Sequence, residues 1–205
     1  MMLTDPFHGV HMGVTAENVA REYGVSRDEQ DEFALESQRR AATAAARAAF
    51  ADEIVAVDVD GRKPFTVEED EHPKPDTTLD ALAGLRPAFS KDGTVTAGNA
   101  SGINDGAAAL ILARQGAATE RGLSGLVSLE AFASQAVAVI RDSKLDPLRV
   151  NPYGGAIALG HPVGATGANL VLRLAKDMVR RDLELGIVSM CIGGGQALAA
   201  LFRRV

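Results

Sequence analysis

Hydrophobic and polar positions along this chain fall into two periods, one helical and one extended. Residues 14–23 place apolar side chains on one helical face, with Thr15 near the start and Gly24 as the stop. Ser26 and Glu29 then form an S-x-x-E capping box, and an alanine-rich run from Asp31 to Phe50 continues that helix. Phe33, Ala41, Ala44 and Ala48 lie near one face of it. Residues 54–59 read as a strand closed by Asp60-Gly61. Residues 63–78 are polar, acidic and proline-bearing, which predicts a surface excursion. A short extended piece over residues 94–96 leads into Gly98-Asn99-Ala100-Ser101-Gly102, and the small apolar run 105–114 predicts a buried helix or strand. A helix is expected over 131–141, a glycine-rich loop over 151–167, and an amphipathic helix over 168–181 that this loop opens. Residues 186–190 and 197–202 read as two strands joined by Cys191-Ile192-Gly193-Gly194-Gly195-Gln196. Helices and strands alternate, so the fold class is α/β.

Composition narrows the function. The 205 residues are 46% hydrophobic and 23% charged, within the range of a globular protein able to bury a core. Alanine and glycine are abundant and tryptophan is absent, which favours close backbone packing over a core of large aromatics. The net charge of -6 opposes phosphate-backbone binding, and the basic pairs Arg39-Arg40, Arg180-Arg181 and Arg203-Arg204 are too short to reverse it. No nucleic-acid partner is therefore expected. A helix-turn-helix reading of residues 16–40 fails for the same reason, because Asp28, Glu29, Asp31 and Glu32 open the second helix where phosphates demand donors or cations. Cys191 is the single cysteine, so no intrachain disulfide is expected. No apolar stretch approaches the ~18 residues of a membrane span, and the first residues do not read as a secretory signal. The expectation is a cytoplasmic protein without a membrane partner. His8 and His11 lack a third ligand and Asp58-Val59-Asp60-Gly61 lacks the later glutamate of a calcium loop, so no metal site is expected.

Three loops carry candidate chemistry. The first runs from Asn151 to Gly167, where His161 is held between Gly160 and Pro162 and the next helix begins at once. Glycine permits close approach of a ligand to backbone, and free amides at a helix start favour developing negative charge. A rigid histidine in that setting suits an oxyanion at a thioester carbonyl. The second is Cys191 at a strand end, followed by three glycines whose amides can polarise a carbonyl while the thiol shuttles a proton. The third, Thr94 to Gly106, is built of small residues that leave room for a thin ligand, with Asn99 and Ser101 offering hydrogen bonds.

Together these loops resemble the thiolases. Residues 154–167, G-G-A-I-A-L-G-H-P-V-G-A-T-G, look like the thiolase histidine loop, and residues 190–196, M-C-I-G-G-G-Q, look like its C-terminal cysteine loop. Residues 94–106 resemble the segment lining the coenzyme A tunnel, and residues 11–20 and 85–89 are also thiolase-like. The resemblance implies a partial thiolase-like α/β fold: the second part of the loop domain plus an incomplete C-terminal α/β domain. Residues 1–93 would be the remainder of the loop domain, 94–115 the last element of the N-terminal domain, and 116–205 a truncated C-terminal domain. It implies acyl transfer to or from coenzyme A, of the acetyl-CoA acetyltransferase or 3-ketoacyl-CoA thiolase kind met in fatty acid metabolism. Acyl-CoA would be a substrate, and no permanently bound cofactor is implied. By position, His161 would form an oxyanion site and assist the nucleophile, Cys191 would move the substrate proton, and the Gly193 amide would serve a second oxyanion site. Met12, Phe89, Ala97, Ser101 and Phe132 would line the pantetheine channel. Lys74 stands where the family often has an arginine near the nucleotide end of coenzyme A, and Ala81 replaces a serine often found there.

Two departures qualify the resemblance. Thiolases use a separate nucleophilic cysteine in the N-terminal half, and this sequence holds no second cysteine. The family's N-E-A-F-A motif reads Leu129-Glu130-Ala131-Phe132-Ala133 here, and a strand–helix–strand stretch just before it is expected to be absent. An isolated chain of this kind is expected to be inactive. The alternative is a coenzyme A-binding or assembly module, working as a homo-oligomer or paired with a separate N-terminal half.

Overall fold

The computed structural model describes residues 3–110 and 131–204. Helix α1 spans Met12–Glu22 and α2 spans Arg27–Ala41. The capping box at the start of α2 is formed in full: the Ser26 hydroxyl accepts from the Glu29 amide and the Glu29 carboxylate accepts from the Ser26 amide. The predicted single helix to Phe50 is instead two. It stops at Ala42, and α3 covers Ala44–Ala51. The cause is Thr43, whose extended backbone and hydroxyl, bonded to the Ala46 amide at 3.0 Å, start a new helix.

The excursion after α3 holds more order than its polarity implied. Strand β1, Val57–Val59, is shorter than the expected 54–59, and pairs antiparallel with β2, Phe65–Val67. Residues 60–64, which include Asp60-Gly61, connect the two strands. Thr78 then caps α4, Leu79–Ala83, through the Ala81 amide. Residues 105–110 form neither the helix nor the strand expected of them and are mostly exposed, because no described strand lies alongside to hydrogen-bond with them. The rest of that run, with Leu129-Glu130 and the junction before it, lies outside the described residues.

Helix α5 spans Ala133–Asp142, a 3-10 turn covers Pro147–Arg149, the short helix α6 covers Ala156–Leu159, and α7 covers Thr166–Arg180. Strands β3, Leu185–Gly193, and β4, Gln196–Arg203, form an antiparallel hairpin. α7 buries Leu170, Leu174 and Met178 against Val188, with Met190, Ala200 and Phe202 alongside. Gly186 allows this contact, since a Cβ there would meet Leu174 and Met178. Period-2 alternation sends the remaining side chains outward, and Leu185, Ile187 and Leu201 are 53%, 60% and 67% exposed.

α2 is the hub of the helical part. Ala34 and Leu35 meet Leu82 of α4, Ala133 of α5 and Ile157 of α6. Further along, Ala41 packs with Ala46 and Phe50 of α3 and with Ala158 and Leu159 of α6. Small side chains let these backbones approach closely: Gly154, at φ 89°, brings its Cα so near α2 that an added Cβ would sit 2.7 Å from the Ser37 carbonyl.

Candidate functional site

Residues 94–104 are clamped by buried polar groups of α1 and α2. The Glu17 carboxylate accepts from the amides of Thr94 and Val95, at 2.8 and 2.9 Å, and from the Thr94 hydroxyl. Asp31, itself paired with Arg27, accepts from the Asn99 side chain at 2.9 Å, and Asn99 in turn accepts from the Thr96 amide. Gln30 donates to the Thr94 hydroxyl. The loop is thus held without a regular strand, by side-chain acceptors that meet its Thr94, Val95 and Thr96 amides.

This clamped segment carries the histidine loop. Ile103 and His161 pair as a parallel bridge; the His161 amide donates toward both the Gly102 carbonyl and the Asn104 side-chain oxygen. Gly160, at φ 86°, has no space for a Cβ, because the Asn104 side chain fills it. The other end of the loop is tied to α2 where the Gly155 amide donates to the Ser37 hydroxyl at 3.0 Å. The half-buried His161 ring lies with Nδ1 2.7 Å from the Thr166 hydroxyl in the first turn of α7. Burial lowers the pKa of His161 below the ordinary imidazole value, which favours the neutral ring.

The cysteine loop approaches from the β3–β4 hairpin. Cys191 pairs with Ala197, and a register shift between Cys191 and Gly193 lets three glycines at φ 125°, 62° and 75° make the turn. Gly167, one residue past the histidine's partner Thr166, lies against Met190, the neighbour of Cys191. Met12 packs on Gly193, its sulfur 3.9 Å from where a Cβ would be, and Phe7 covers Gly194. The start of α7 and the start of α1 thereby both border the cysteine loop. Burial raises the pKa of the Cys191 thiol above its usual value.

Phe89 lies flat over Gly13, stacks on His11 at 4.9 Å, and packs with Phe132 around Ala16, Val95 and Ala100. Ala100 and Phe132 form a bridge, and the Ser101 amide donates to the Ala131 carbonyl. Met12, Phe89, Ser101 and Phe132 therefore surround one neighbourhood, with Ala97 exposed on the same clamped segment. Lys74 is exposed before α4, its amide donating to the Gln38 side chain at 2.8 Å. Sequence reasoning assigned no role to Glu17, Asn104 or Thr166. All three stood inside stretches already singled out, but the contact that Glu17 makes spans 77 positions, for which no local signal exists.

A separate cavity of about 630 Å³ lies behind the histidine loop, lined by Phe50, Tyr153, Gly160, Thr166, Arg173 and Asp177 among others and by none of the residues predicted to act. Arg173 stands over the Phe50 ring there, near Glu53 and Asp70, whose carboxyls burial pushes up.

Residues 1–116 match the family described as thiolase, N-terminal domain, and residues 103–204 match thiolase, C-terminal domain. The acetyl-CoA acetyltransferase of Escherichia coli (strain K12) is 45% identical over 240 residues, covering 97% of this chain and 61% of that protein. The beta-ketothiolase BktB of Cupriavidus necator is 44% identical, covering 99% and 62%. The crystal structure of the Bacillus anthracis acetyl-CoA acetyltransferase superposes with a TM-score of 0.91 at 38% identity, and that of human mitochondrial 3-ketoacyl-CoA thiolase with 0.89 at 36%; each match covers 99% of this chain and 62% of the other. The chain thus spans about 61–62% of the length of these relatives. The 240-position alignment is longer than the chain's 205 residues, so a stretch within the relative has no counterpart here.

Proposed function

This chain belongs to the thiolase family, and from that premise we propose that it carries the oxyanion and proton-transfer half of a coenzyme A-dependent acyltransferase. The observation carrying this reading is the packing of α7 on β3 at the ends of the two motifs, where Gly167, six residues past His161, lies against Met190, the neighbour of Cys191. In the proposed reaction, the neutral His161 imidazole takes a proton from a nucleophile and then stabilises the oxygen of the thioester. Cys191, kept as a thiol by burial, moves the substrate proton and does not attack. The Gly193 amide faces the second carbonyl oxygen. Met12, Phe89, Ala97, Ser101 and Phe132 border the pantetheine arm, and Lys74 approaches the nucleotide end. The proposed layout keeps residues 1–93 as loop domain, 94–115 as the last N-terminal-domain element, and 116–205 as the C-terminal domain.

The 205 residues contain no second thiol to carry the acyl group. Members of a catalytic unit act non-additively, so absence of the nucleophile removes nearly all the rate. The isolated chain is expected to show no thiolysis of acetoacetyl-CoA above that of its His161→Ala variant. Robust turnover that tracks the purified chain and disappears in the variant would overturn the proposed inactivity.

A second reading is favoured by the exposed Leu185, Ile187 and Leu201 on the outer hairpin face. Such a face suits docking of another polypeptide, and the chain would then act as an assembly module beside a cysteine-bearing N-terminal half. Co-expression with such a half, followed by assay of the purified complex, separates the two: restored turnover supports the second reading, and failure to co-purify removes it.

A further inference from the structure

We propose that Thr166 is a positioning residue that fixes His161 in the tautomer with the proton on Nδ1, leaving Nε2 as the free basic nitrogen. A neutral imidazole carries one proton, and the partner of one nitrogen decides the state of the other. Here Nδ1 lies 2.7 Å from the Thr166 hydroxyl. That hydroxyl also has one proton, and it donates to the Pro162 carbonyl, four residues back, at 3.0 Å. This is the bond that threonine ordinarily forms in a helix. Both contacts are satisfied together only when the hydroxyl donates to the carbonyl and Nδ1–H donates to the hydroxyl oxygen; the reverse orientation leaves two acceptor oxygens facing each other at 3.0 Å.

The geometry around the pair holds it in place. Thr166 is 4% exposed, so water does not compete freely for its oxygen. Pro162 directly follows His161, and its carbonyl also accepts the amides of Ala165 and Thr166, at 2.7 and 2.8 Å, which anchors the acceptor to the first turn of α7. The His161 amide is bonded on the opposite side to Gly102 and Asn104. The ring is therefore pinned at its backbone and at Nδ1, and Nε2 is the nitrogen left for chemistry. This deepens the role proposed for His161, in which a base must first accept a proton and only then donate from the same nitrogen to an oxyanion.

The test is imidazole ¹H–¹⁵N spectroscopy of the intact chain at pH 7.5, a readout that needs no turnover. Four histidines contribute signals, and His161→Gln identifies the one of interest. The expected spectrum shows Nδ1 protonated and Nε2 with the far-downfield shift of a bare nitrogen. Thr166→Val, which keeps the shape and removes the oxygen, shifts the population toward the Nε2–H form; Thr166→Ser restores the original pattern. A wild-type spectrum dominated by Nε2–H, or a Thr166→Val spectrum identical to wild type, overturns the inference. If the valine variant does not fold, Thr166→Ala supplies the oxygen-free comparison, with the same shift toward Nε2–H expected and an unchanged spectrum overturning the inference. Failure of acyl transfer bears on the proposed function alone, and a wrong tautomer bears on Thr166 alone.

Discussion

Glu17 shows how a single side chain can hold a ligand-sized loop without a strand. Its two oxygens receive the Thr94 and Val95 amides, and the carboxylate sits on a helix that sequence periodicity locates readily. Glu17→Ala leaves both amides unpaired in a buried place, at about 1–3 kcal/mol for each; a urea melt is expected to show the loss, with faster amide exchange over residues 94–101. Gly160→Ala forces a side chain onto a positive φ and into the space of the Asn104 amide. The expected cost is about 1–3 kcal/mol, read by thermal melting and by displaced His161 resonances. The buried titrating groups set opposite pH limits. His161 has a folded pKa below its unfolded value near 6.5, so the unfolded chain binds more protons below that pH. Its contribution is constant above pH ~6.5 and stability falls as acid is added through the folded pKa; a histidine-to-glutamine variant at 161 should flatten that slope. Cys191 behaves in reverse: its folded pKa lies above 9.0, so stability falls as pH rises past that value. Iodoacetamide should accordingly modify the native thiol more slowly at pH 8 than the urea-unfolded one.

Helices with paired start and stop signals were legible from the pattern of residues, and the one that a single capping hydroxyl begins was less so. The Ser26–Glu29 box marks α2 because both partners sit within one turn. The break at Thr43 was hidden in a run of alanines that suits either one helix or two. Thr43→Ala removes the hydroxyl that caps α3 and is expected to cost about 1 kcal/mol, measured by denaturant unfolding, with helix content falling only slightly. α7 was legible in its amphipathic spacing, and its start at Thr166 is two residues earlier than expected. Leu174 packs at its centre, and Leu174→Ala should cost about 2–5 kcal/mol. Over residues 105–110 the pattern misled because smallness and apolarity describe a residue's tolerance for burial, while a strand exists only beside another strand.

At the level of the molecule, the outstanding feature is the hairpin β3–β4, which is covered by α7 on one face and carries Leu185, Ile187 and Leu201 uncovered on the other. Open strand edges and an apolar face favour association. Ile187→Lys with Leu201→Lys is expected to reduce the mass seen by size-exclusion light scattering at high protein concentration, while the circular dichroism of the α7 core is unchanged. The Ser26–Glu29 capping box, the helical faces, the glycine runs around His161 and Cys191 and the resemblance they carry were readable from the order of residues, because each depends on neighbours within a few positions. The split of α2 from α3, the Glu17 clamp, the pairing of Ile103 with His161 and the partner of the imidazole required the folded chain. The split turns on one local hydroxyl that an alanine run masked, the clamp and the bridge join groups far apart in sequence, and the imidazole's partner depends on how the loop closes onto α7. Such contacts are chosen by packing, which local periodicity does not encode.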